Sequence, residues 1–125
     1  MHQNTEMMQS QTRNSIVENQ LSFYERGIEH SELADVRNRL GSGQDIKATE
    51  QFQYTFFMLS QMRMWENEFY QFQLGLFDSA EFTARTNAWR RQMERTANLP
   101  IWRNLEDAFA PDFRNFMNKI ISEIS

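Results

Sequence analysis

The chain has no cysteine among its 125 residues. That excludes a disulfide, a thiolate nucleophile and a thiolate metal site together. Glycine is scarce at four residues and proline at two, which argues against many short strands and favours few, long elements. An excess of positive charge is also missing. Thirteen basic residues stand against 17 acidic ones, a net charge of −4, so the overall cationic footprint of a nucleic-acid binder is absent. The longest apolar run is "FFML" at 56–59. A membrane-spanning helix needs ~20 such residues. The opening "MHQNTEMMQSQT" has no apolar h-region and does not read as a signal peptide.

What is present is aromatic and rich in methionine. Hydrophobic residues make up 40% of the chain, with eleven Phe and eight Met. That is enough to build one core in a single domain over residues 1–125. No segment alternates apolar and polar residues as a strand does, so the expected class is all-α. The expected architecture is a bundle of four main helices plus one or two short ones.

The first helix is expected over about 4–26, with Met8, Ile16, Val17, Leu21, Phe23 and Tyr24 on one apolar face. Residues 1–12 are polar apart from methionine and are read as frayed or as the continuation of a preceding helix. Gly27 is expected to end or kink this element. Ile28, Leu33, Val36 and Leu40 have the spacing of a short second helix, which "GSG" at 41–43 stops. Asp45 is the expected cap of a third helix over about 46–76, ~45 Å long and central. "DSAE" at 78–81 matches a capping box and opens a fourth helix reaching about Asn98. Pro100 is read as starting a short helix and Pro111 the last one. Short loops favour antiparallel neighbours.

The third helix holds the least ordinary feature. On a helical wheel, Phe52, Phe56, Met58, Leu59, Met62, Trp65, Phe69, Phe72 and Leu76 form a wide apolar arc. Gln53, Ser60, Asn67, Glu68 and Gln71 fall opposite. Glu66 lies inside the arc, with Thr55 and Gln73 on the same side. A buried carboxylate is costly unless it is paired. The structural reading gives Glu66 an arginine partner that fixes helix register: Arg63, three residues away, or Arg90, Arg91 or Arg103 from neighbouring segments. The chemical reading makes Glu66 an acid of raised pKa lining a pocket with Trp65, Gln73 and Thr55. The structural reading is favoured, because lone buried acids more often hold structure than catalyse.

Other chemistry finds little support. A di-metal carboxylate bundle needs Glu-x-x-His on two helices, and neither His2 nor His30 follows a Glu by three. Glu29, His30 and Glu32 do not share a helix face. There is no G-x-S-x-G and no phosphate loop. No catalytic residue, metal or cofactor is therefore assigned. In "RTNAWRRQMER" at 85–95, Trp89 falls on the apolar stripe with Phe82 and Met93, which leaves Arg85, Arg90, Arg91 and Arg95 as a solvated face.

Three segments, "QNTEMMQSQT", "MWENEFYQFQLGLFDSAEFTARTNAWRRQM" and "LPIWRNLEDAFAPDFRNFMNKII", resemble a family of small bacterial proteins. In that family one N-terminal transmembrane helix leads into a helical domain. Trp65, Glu66, Asn67, Tyr70, Gln71, Gly75, Asp78, Trp89, Pro111, Phe113, Arg114 and Phe116 match its pattern. The resemblance carries a context and no reaction. It implies a domain at the cytoplasmic face of a bacterial membrane, because basic residues usually follow the anchor; here the first is Arg13. The family's transmembrane segment does not appear in this sequence; the expectation is either a truncated form, whose first helix would then continue the anchor, or a natural form without it.

The expected function is that of a non-enzymatic interaction domain, with a protein partner or a second copy as its ligand. No nucleic acid is expected, and a membrane only through the missing segment. Phe57, Met64 and Tyr54 are the candidate exposed anchors, against the alternative that flanking helices bury them. The second hypothesis is a small apolar ligand held between helices near Glu66.

Overall fold

The computed structural model describes residues 2–124, all six of its α-helices included; Met1 of the expected 1–12 stretch lies outside the described residues. The fold is all-α, and no strand occurs among the described residues. The helices are α1 (His2–Glu29), α2 (Glu32–Gly41), α3 (Ala48–Gln73), α4 (Ser79–Met93), α5 (Asn98–Leu105) and α6 (Pro111–Ser122), with a 3-10 turn at Glu106–Ala108 before α6.

Several ends follow from local chemistry. Asp78 caps α4, its Oδ2 accepting the Glu81 N–H at 3.1 Å. The Glu81 side chain does not return to close the box; it pairs with Arg13 of α1 at 2.7 Å. Pro111 is the first residue of α6, where a missing N–H costs nothing. Gly75 ends α3 at φ 75, a backbone region that a side chain disfavours. Several expected boundaries move, α3 ending at Gln73 rather than 76 among them. Residues 2–12 are helical, and α1 runs through Gly27 to Glu29, since Gly27 does not take the positive φ that ends a helix and packs beside the Phe57 ring. Lys47, not Asp45, precedes α3, and Glu50 accepts the Lys47 N–H at 2.9 Å. Finally, α4 stops at Met93, so Asn98 opens α5.

The core is one cluster built around α3, which contacts all five other helices. Trp65 of α3 stacks on Trp89 of α4 with centroids 5.5 Å apart, and Phe69 and Phe113 extend the aromatic layer. Phe72 lies flat against Phe82 at 4.1 Å. Trp102 of α5 is edge-on to Phe113 and donates its ring N–H to Asn118 at 2.9 Å. Asn98, fully buried, accepts from the Tyr54 hydroxyl and donates to the Gln92 carbonyl at 2.9 Å. Burial pushes the Tyr54 phenol up to about 12. Tyr54 is thus a core residue, and Phe57 and Met64 are half-buried. None of the three is an exposed anchor, because α3 is covered on several sides.

Candidate functional site

Two glutamates two residues apart on α3 have opposite fates. Glu68, expected on the solvent side, is fully buried. Its Oε1 accepts from Arg85 Nε at 2.7 Å, and its Oε2 from Arg85 Nη2 at 3.2 Å and Gln20 Nε2 at 3.4 Å. Arg85 comes from α4 and Gln20 from α1, so the carboxylate is where three helices meet. Burial raises the Glu68 pKa, against the opposing pull of Arg85. The buried Trp89 ring N–H faces the same carboxylate but falls short of hydrogen-bond geometry. The expected solvated face of α4 therefore loses Arg85, which turns inward; Arg91 and Arg95 are exposed.

Glu66 is only half-buried. Its Oε1 accepts from Arg63 Nη1 at 2.9 Å and its Oε2 from the Ala110 backbone N–H at 2.9 Å. Arg63 also donates to the Ala108 carbonyl at 3.2 Å and lies over the Phe109 ring at 4.5 Å. The pair ties the segment before α6 to α3. The other expected partners are elsewhere: Arg90 reaches Glu123 at 3.1 Å, and Arg103 reaches Glu106 at 3.4 Å.

An open groove of about 700 Å³ runs along this flank of α3 to the start of α6. Glu66, Gln73, Tyr70 and Asp112 line it over a floor of Phe69 and Phe113. Trp65 and Thr55, the other expected ligand contacts, do not line it. Trp65 is sealed against Trp89, and the Thr55 hydroxyl accepts from Gln51 at 3.1 Å one turn earlier on α3. Asp112 puts a second carboxylate on the groove, but both oxygens of Glu66 are already committed to Arg63 and Ala110. The geometry supplies an architectural strut with a polar groove beside it, and no acid–base pair. No three His, Asp or Glu side chains gather as a metal site among the described residues. His30 faces only Glu32, at 3.4 Å.

The surface carries more that is unusual than the grooves do. Phe52 and Phe56, expected in the buried arc, are 64% and 52% exposed and pack against each other at 4.6 Å. They edge a shallow cleft of about 320 Å³ with Leu33 and Phe57. On α1, Leu21, Tyr24 and Ile28 are exposed, Ile28 by 76%. Only Ile16 and Phe23 of the expected apolar face turn into the core. No helix among the described residues is long and apolar enough to cross a membrane. Comparison with protein-family models, with curated proteins and with solved structures finds no match for this chain.

Proposed function

We propose that this chain is a non-enzymatic helical interaction domain, in which α1, α3, α4 and α6 form the main bundle and α2 and α5 are appended to it. The observation that carries this reading is the pairing of a filled aromatic interior with large apolar side chains left in water. Leu21, Tyr24, Ile28, Phe52 and Phe56 are all about half exposed or more. Such side chains, grouped on two helices, are the raw material of a protein interface. The buried ionic groups are consumed in holding helices together, which leaves no poised acid or nucleophile among the described residues. The resemblance to anchored bacterial proteins adds a context: a domain held in the cytoplasm at the inner face of a membrane.

The second reading is a small ligand in the groove beside Glu66. Its volume lies within the usual range for ligand sites, roughly 300–1,000 Å³, and its floor is aromatic. Native mass spectrometry followed by denaturing mass spectrometry of the same sample separates the two. The interaction reading expects native masses at whole multiples of the 15.0 kDa chain with no excess. A reproducible excess that is lost on denaturation overturns it and points to the groove.

A further inference from the structure

The exposed apolar residues of α1 have a spacing that the core does not explain. All of them but Met8, namely Met7, Leu21, Tyr24 and Ile28, fall with the half-buried Val17 on the alternating three-and-four spacing of a heptad, with Ser10 and Asn14 filling the two places between. Written as a heptad, Met7, Asn14, Leu21 and Ile28 are a positions, and Ser10, Val17 and Tyr24 are d positions. The residues that α1 turns toward the rest of the fold, Ile16, Gln20, Phe23 and Gly27, are c and g positions. The helix therefore has two apolar stripes roughly 100° apart on its circumference. One is buried. The other is a heptad-spaced stripe ~32 Å long, exposed at Met7, Leu21, Tyr24 and Ile28, half-buried at Val17, with the Tyr24 hydroxyl at its edge 3.5 Å from Arg85.

We propose that this seam is covered by the same seam of a second copy, the two α1 helices running parallel and in register. The proposal rests on the reading of the chain as an interaction domain and names its partner. Three features select this occupant. First, strict heptad spacing matches a left-handed helix pair, which a flat or irregular surface would not require. Second, one asparagine at an a position, Asn14, sits in an otherwise apolar C-terminal seam; paired with itself across a parallel dimer it fixes two strands and one register. Third, the flanking charges fit. In a parallel pair, Arg13 at g faces Glu18 at e of the partner, and Glu18 has no ion-pair partner within its own chain among the described residues. Arg13 spends Nε on Glu81 and retains its other N–H donors. A fully overlapped antiparallel pair would instead set e against e, placing Glu18 opposite the same glutamate of the second copy. Of the other g residues, Glu6 meets Gln11 in the parallel pair while Gln20 stays on Glu68 of its own chain, and no like charges oppose.

The test is the solution mass with a cross-link, measured on the whole chain. Light scattering across micromolar concentrations should give twice 15.0 kDa for the wild type. Leu21→Glu and Ile28→Glu, each at an exposed site, should give a single chain with unchanged helical circular dichroism. Phe52→Ser should leave the dimer intact. Because the chain has no cysteine, Asn14→Cys gives a clean reporter: mild oxidation should join two copies through the introduced thiols, while Met8→Cys, off the seam, should not. A single-chain mass for the wild type overturns the proposal. So does a dimer that survives Leu21→Glu, or one that Asn14→Cys fails to lock. A dimer on another face leaves the interaction reading standing and removes only the seam; excess bound mass removes both.

Discussion

Replacing the buried ion pair gives the sharpest test of how α1, α3 and α4 are held together. In Arg85→Met, the Glu68 carboxylate keeps only Gln20 at 3.4 Å while its side chain is 1% exposed. Breaking a buried pair strands the remaining charge, and the cost expected here is ~3 kcal/mol. In Glu68→Leu the stranded group is the Arg85 guanidinium. It is 16% exposed and keeps the Tyr24 hydroxyl at 3.5 Å, so the cost is nearer ~2 kcal/mol. The double variant Glu68→Leu/Arg85→Met removes both charges and fills the site with similar apolar volume. It should cost ~1 kcal/mol rather than ~5, the remainder being the lost Gln20 partner, which makes the coupling ~4 kcal/mol.

The assay is urea unfolding followed by tryptophan fluorescence, since Trp65 and Trp89 lie beside the site. A pH series adds a second readout. Burial holds the Glu68 pKa above its unfolded value, and Arg85→Met removes the main opposing influence. An acid whose folded pKa is raised binds its proton more tightly in the folded state. Stability of Arg85→Met should therefore fall as pH rises from the unfolded value of ~4.3 toward the raised folded one, and the deficit should shrink in acid. Single variants whose costs simply add, or an Arg85→Met deficit that ignores pH, would refute the claim that Arg85 neutralises Glu68.

Two further outcomes are expected. Arg39, then the Lys47 N–H, hold Glu50 at a pKa of about 2; a depressed acid stabilises above its unfolded pKa and loses that contribution as pH falls. The deficit of Glu50→Gln in urea midpoint should thus be full at neutral pH and gone near pH 2, and a deficit unchanged in acid would contradict the assignment. Asp78→Ala removes the α4 cap and should cost ~1 kcal/mol, whereas Asp78→Ser should recover most of it. Equal losses in melting temperature for both would mean that the side chain does not cap.

The legible parts of this fold were those governed by local rules. The helical class followed from the scarcity of glycine and proline, the α4 cap from "DSAE", and the burial of Trp89 from its stripe with Phe82 and Met93. The two glutamates of α3 were not legible. Glu66 and Glu68 lie on opposite flanks of the buried face, each roughly 80° from its centre by helical geometry. Nothing in α3 itself says which flank another helix will cover. α1 and α4 close over Glu68, while the Glu66 side opens to the groove. The same limit misplaced Phe52 and Phe56, since a wide apolar arc does not reveal where its cover ends. On α1 the apolar residues read as one broad face, but they are two stripes, and only tertiary contact separates them.

Those two stripes also give the buried ion pair a purpose beyond stability. Hydrophobic burial is non-directional, so apolar area alone would let α1 dock on either stripe, Ile16 with Phe23 or Leu21 with Ile28. Polar contacts break that tie. Only the docked orientation brings Gln20 to Glu68 at 3.4 Å and Arg13 to Glu81 at 2.7 Å. Turning α1 by roughly 100° to bury the other stripe would withdraw Gln20 and leave part of the Glu68 site unsatisfied. A buried charge is a poor source of net stability, and an apolar replacement often does as well. Its value here lies in penalising the wrong face, because a wrongly docked helix pays for an unpaired polar group that a rightly docked one satisfies. The residues that make the core costly to build are thus the ones that keep the Leu21–Ile28 stripe outside, where a second chain can reach it.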